Sequence, residues 1–166
     1  MQVPGVLPCL LALVYEAVLV AALLMVAGFV FQPLHGLLPP QMARVMQSLF
    51  LLLVLALYFG WCWLRSGQTL ALKTWRMRLV AADGRPLALR AAALRFVMGL
   101  LLYLPLLATC VWWFYQRQQA WPYLLLMSLL WGLHWGWALF DAERQLLLDR
   151  LAGTRLIKTS GGQAAP

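Results

Sequence analysis

Three ionisable residues stand inside long apolar runs of this chain: Glu16, Arg95 and His134. A charge at the centre of a bilayer costs ~2.5–3.5 kcal/mol even on mild insertion scales, so such a residue faces other helices and finds a partner. A carboxylate in that setting either binds or relays a proton or cation, or it locks two helices together. Counting from Leu7 at 1.5 Å per residue puts Glu16 roughly 14 Å along its helix, near the bilayer midplane. His134 lies ~10 Å from the end of its own run, a similar depth. His134 and Arg95 therefore compete as partners of Glu16, with Tyr103 as a neutral alternative. Each has a plainer reading too. His134 can be a neutral ring bonded to a backbone or hydroxyl group, and Arg95 can snorkel to the headgroups.

No enzyme signature accompanies them. The chain holds no Gly-rich phosphate loop, no paired catalytic carboxylates and no nucleophile–base set. Its two histidines, His35 and His134, and its three cysteines, Cys9, Cys62 and Cys110, form no CxxC or Cys/His cluster. The sequence thus predicts no metal site, no cofactor and no disulfide framework. Cys9 invites comparison with a lipoprotein signal, but too little chain precedes it, no basic segment leads it and Glu16 interrupts the apolar run behind it.

The elements that carry these residues are membrane helices. Of 166 residues, 64% are apolar and 11% charged, against roughly 45–50% and about 25% in soluble proteins. Spanning ~30 Å of hydrocarbon takes ~20 apolar residues. Four stretches qualify, at about 7–31, 45–64, 91–115 and 121–140, giving an all-α, four-helix transmembrane bundle. Pro105 falls inside the third and should kink it. Lys and Arg concentrate in the 65–90 loop and in the tail, while the other two loops offer only Arg44 and Arg117. Positive residues stay cytoplasmic, so this loop and both termini are expected inside. Trp and Tyr crowd the helix ends, Tyr58, Trp61 and Trp63 at one face and Trp112, Trp113, Tyr115, Trp121 and Tyr123 at the other, as an interfacial belt does.

The formal net charge of +8 points to anionic lipid headgroups at the basic loop rather than to nucleic acid, because no basic stripe carries interleaved base-stacking aromatics. Within the loop, Trp75-Arg76-Met77-Arg78-Leu79 alternates with period two and runs into Asp83-Gly84. That pattern predicts a small amphipathic hairpin of two strands, with 154–158 able to add a third. A competing reading is an amphipathic interfacial helix from Leu70. Ser128, Gly132 and Gly136 recur every four residues on helix four and admit close approach of another helix, including one from a second copy. The residues of 159–166 are expected to be disordered.

Several of these residues carry a resemblance. Gly67-Gln68-Thr69, Arg78-Leu79-Val80, Asp83-Gly84-Arg85-Pro86-Leu87 and Arg95, with Asp141 and the tail run 149–155 from Asp149 to Arg155, resemble the signature of the RDD family of bacterial membrane proteins. The resemblance spans about Leu7 to Ile157 and makes 1–158 one transmembrane domain. It implies an arginine and an aspartate in helix one and a second aspartate. Glu16 stands where the helix-one aspartate is expected, Cys9 where the arginine is expected, and Asp149 matches the second aspartate. It implies an inner-membrane protein with a transport-related role, with ion exchange in some members. Two functions follow as expectations. One is ion or proton handling at Glu16, in a dimer or larger assembly. The other is a non-transporting scaffold that docks partners through its basic loop and tail. The absence of an internal repeat, which transporters often carry, keeps the second in play.

Overall fold

The computed structural model describes residues 4–116, 121–140 and 147–158, and these are mostly helical. The order is α1 (Val6–His35), α2 (Pro40–Arg65), α3 (Leu70–Thr74), β1 (Met77–Ala81), α4 (Leu89–Gln116), α5 (Trp121–Phe140), α6 (Leu147–Leu151) and β2 (Thr154–Lys158). Three helical segments among the described residues are long and apolar enough to cross a membrane: Leu7–His35, Pro40–Arg65 and Leu89–Leu106. α5 has 20 residues, within which Pro122–His134 is a shorter apolar stretch. Large apolar side chains such as Val14, Phe29, Leu57 and Leu101 stand exposed all along these helices. In water that surface would drive aggregation; in lipid it is simply solvated.

α1 packs on α2, α2 on α4 and α4 on α5, so the long helices follow one another as neighbours in chain order. α1 and α2 form a helical hairpin turned at Gly36 to Pro39. Near the turn, His35 Nε2 and Gln47 Oε1 are 2.9 Å apart, and the Phe31 and Phe50 rings lie 5.5 Å apart. α2 begins at Pro40, at the first helical position where its missing N–H costs nothing. α4 runs through Pro105 without interruption, and the Thr109 hydroxyl donates to the Pro105 carbonyl at 2.6 Å.

The expected hairpin around Asp83-Gly84 is not what forms. The turn is real: Gly84 has φ +82°, and Asp83 Oδ1 accepts from the Arg85 amide at 3.0 Å. No second strand follows it. Pro86 has no N–H to donate to a ladder, and α4 starts at Leu89, too soon for a return strand. β1 pairs instead with β2 from the tail, antiparallel, from Met77 opposite Lys158 to Ala81 opposite Thr154. The competing helix from Leu70 appears as well, but only as the single turn α3. The expected disorder of 159–166 lies outside the described residues.

The ribbon packs onto the helices where α2 ends and α4 begins. Leu79 and Leu87 bury against Trp63 and Ala92, with Phe59, Phe96 and Leu156 around them. Trp63 is therefore a core residue, not part of an interfacial belt. Trp61, on the opposite side of α2, stays 65% exposed with the Arg65 guanidinium over its ring at 5.0 Å.

Gly67 makes the loop's path feasible. Its φ is +67°, and a Cβ there would lie 2.5 Å from the Leu79 carbonyl oxygen. Gly67→Ala should lower the unfolding free energy by about 2 kcal/mol or more, from the left-handed backbone and the backbone clash together. At Gly132 a Cβ would meet open space. Gly132→Ala should leave thermal stability of the detergent-solubilised chain unchanged or raised, because alanine is the better helix former. Equal losses from the two changes would refute this account of the loop.

Candidate functional site

α1 is apolar on every side, which suits a helix wetted by lipid. Glu16 is its one acidic residue. The structure places this carboxylate between α2 and the start of α3. Tyr58 Oη donates to Glu16 Oε1 at 2.8 Å, and Thr69 Oγ1 donates to Oε2. Neither His134 nor Arg95 is the partner. Among the described residues, no cationic side chain is paired with Glu16. A carboxylate held only by neutral hydroxyls has no described counter-charge, whereas the same group beside an arginine would be neutralised when ionised.

Thr69 does two jobs. It is 2% exposed and caps α3, its Oγ1 accepting from the Leu72 amide at 3.3 Å. That lone pair is free for capping because the hydroxyl hydrogen points at Glu16. The two residues before it secure the same corner. The Gly67 carbonyl accepts from the Leu79 amide at 2.7 Å, and Gln68 Nε2 donates to the Met77 carbonyl at 2.8 Å. The Gly67-Gln68-Thr69 motif thus ties the ribbon to α2 and to the carboxylate of α1.

A second polar centre lies among α4, α6 and β2. Arg95 Nη1 is ion-paired with Asp149 Oδ1 and donates to Thr154 Oγ1 at 2.9 Å. The Thr154 hydroxyl donates in turn to the Asp149 carbonyl at 3.3 Å. The Asp149 side chain is 2% exposed and that of Arg95 14%. The guanidinium also lies 5.6 Å from the Trp63 ring centroid. This centre is charge-balanced, and it closes the tail onto the helices. His134 is buried, with its ring edge-on to Tyr103 at 6.4 Å between centroids. Both rings lie within electrostatic reach of Arg95 and Asp149. The Cys9 thiol likewise lies within electrostatic reach of Asp149.

The sequence-derived residues therefore divide. Arg95 and Asp149 meet, His134 lies nearby, and Glu16 stands apart with Thr69. Asp83 and Arg85 form an exposed pair at 3.5 Å, of the kind that adds little stability. Ser128 and Gly132 are exposed, and a Cβ on Gly132 or Gly136 would touch nothing within 4 Å. The expected close helix approach at this stripe is thus not made among the described residues. Among the described residues no group of three His, Cys, Asp or Glu side chains could hold a metal ion.

Sequence reasoning missed Tyr58 and Thr154. Tyr58 had a usable signal. In a helical hairpin, residues equally far from the turn lie side by side, and Glu16 and Tyr58 are about 28 Å and 27 Å from the His35 and Pro40 ends at 1.5 Å per residue.

The model of the RDD family matches residues 3–153 of the chain. No curated protein and no solved structure matches it.

Proposed function

The chain belongs to the RDD family, and from that premise we propose that it is a four-span protein of the bacterial inner membrane that binds or relays a proton or small monovalent cation at Glu16. The observation that carries this reading is the carboxylate with no described counter-charge. Tyr58 and Thr69 present oxygen atoms around it, and oxygen ligands suit hard cations. A proton or a monovalent cation is the smallest charge that would neutralise such a site. The direct test is ion flux through proteoliposomes with Glu16 intact or replaced by Gln.

In this reading α5 is the fourth span, and the ribbon, α3 and both termini face the cytoplasm. Glu16 and Tyr58 then lie about 27–28 Å from the outer ends of their helices. That is close to the inner boundary of a ~30 Å hydrocarbon core, an entry position open to the cytoplasmic side rather than a midplane one. Reporter fusions at Pro40 and Gln118 should score outside, and fusions at Gly84 and Gly161 inside. An outside score at Gly84 would overturn the orientation. The uncovered Ser128/Gly132/Gly136 face is the natural seat for a second copy, which would enlarge the small volume that four helices enclose.

One observation favours the rival scaffold reading. Thr69 caps α3 with the same hydroxyl that binds Glu16, so the carboxylate has a structural job ready-made. In that reading the ribbon and tail dock a partner and Glu16 is a lock. Loss of stability without any flux to lose is what that reading expects of Glu16→Gln.

A further inference from the structure

We propose that Arg78, on the β1–β2 ribbon, holds the phosphate of one anionic phospholipid headgroup. The inference needs only that the chain sits in a membrane; it is independent of what Glu16 does. Arg78 Nε is buried and has no hydrogen-bond acceptor. A buried N–H left unsatisfied costs about 1–3 kcal/mol, more on a charged group, so a native guanidinium in that state points to a missing acceptor. The side chain is held in place: its Cγ and Nε would both lie 3.2 Å from a Cβ on Gly67. The missing side chain of Gly67 is what lets the arginine stem lie there.

No carboxylate among the described residues is left to accept from it, and Asp141 and Glu143 lie outside those residues; an anion from outside the chain can fill the role. Glu16 is bound by Tyr58 and Thr69, Asp83 faces Arg85 and Asp149 faces Arg95. The strand register places Arg78, Val80, Arg155 and Ile157 on one face of the ribbon, so a second guanidinium stands diagonally across from the first. The 65–90 loop adds Arg65, Lys73, Arg76, Arg85 and Arg90 against the single carboxylate Asp83. The Arg78 fork in a field of surplus positive charge matches a phosphate, whose oxygens accept Nε–H and Nη–H together.

Placement decides for lipid over a free phosphate ion. α2 has 26 residues and is about 39 Å long. It crosses ~30 Å of hydrocarbon and ends within the ~40–45 Å that includes the headgroups. Gly67, against which Arg78 lies, is two residues past that end. The guanidinium is therefore at the level of lipid phosphates.

Native mass spectrometry of the full chain in detergent, titrated with phosphatidylglycerol and separately with phosphatidylcholine, tests this. The native chain should retain one phosphatidylglycerol in preference to phosphatidylcholine. Arg78→Gln should weaken that retention about tenfold, the loss of a charge-assisted pair of hydrogen bonds. Arg78→Lys keeps the charge but lacks the fork, and should fall between the two; it also serves if the Gln variant does not fold. Arg85→Gln, an exposed charge on the same loop, should change nothing. Equal retention of both lipids, or native-like retention by Arg78→Gln, would overturn the site. Displacement of the lipid by inorganic phosphate at equal concentration would overturn the headgroup as its occupant.

Discussion

Arg95→Met should cost the folded chain about 3–5 kcal/mol, because it strands the Asp149 carboxylate in a site 2% exposed to solvent. The arginine also supplies a hydrogen bond to Thr154 and a cation over the Trp63 ring, so three contacts disappear at once. Asp149→Asn should cost less, since an amide oxygen still accepts from Arg95 while the arginine's charge goes unmatched. The double replacement Arg95→Met with Asp149→Leu should recover part of the loss, because an apolar pair of similar volume needs no counter-charge. Thermal unfolding in detergent, read by helical content, gives the order: native, then Asp149→Asn and the double variant, then Arg95→Met. A loss below about 1 kcal/mol for Arg95→Met would place the pair among surface ion pairs and remove it as the clasp of the tail.

Much of the helical frame was legible because the signal is local. The fourth helix, at 121–140, matches α5 at both ends. Apolar runs of membrane length leave little choice of structure, since every backbone group must be paired within the segment. The ends were less legible. α1 continues through Pro33 to His35, and α2 begins at Pro40 rather than near Val45. Gln41 and Arg44 lowered the local hydropathy without breaking the helix. The two helices thus run four and five residues further toward their shared turn than the apolar runs alone indicate.

The ribbon shows where local reading stops. The alternation at 75–79 and the Asp83-Gly84 turn were both real signals. The strand partner is the tail segment 154–158, legible as a possible third strand, some 77 residues along the chain. Spacing along a sequence does not weigh a distant partner against a near one, so its place as the sole described partner of β1 was not legible. Pro86, with no N–H for a ladder, disfavours a return strand. The site was half legible in the same way. Arg95 and Asp149 both stand out in the sequence, Arg95 as a candidate partner of Glu16 and Asp149 by its motif, but nothing in their spacing announces that they pair with each other. Glu16 was matched to other ionisable groups because opposite charges are conspicuous in a sequence, while its actual partners are two of many hydroxyls. Thr69 was visible as part of a motif, but its contact with α1 depends on how the loop folds back over Gly67.

The central claim is that Glu16 carries exchangeable charge. Glu16→Gln keeps the shape of the side chain, and its carbonyl oxygen can still accept from Tyr58. The amide can donate to Thr69 Oγ1, which has one lone pair left beside the Leu72 amide. The fold should therefore survive with a loss of about 1 kcal/mol, the usual worth of one altered hydrogen bond. What the amide cannot do is take up or release a proton or neutralise a cation. The decisive measurement is dissipation of a pH gradient across proteoliposomes after addition of a monovalent cation, with native chain and Glu16→Gln reconstituted at equal density and checked for equal melting. Flux in the native sample well above empty liposomes, abolished in Glu16→Gln with melting nearly unchanged, is the expected result. Native flux no greater than that of empty liposomes, or undiminished flux in the variant, would contradict the claim.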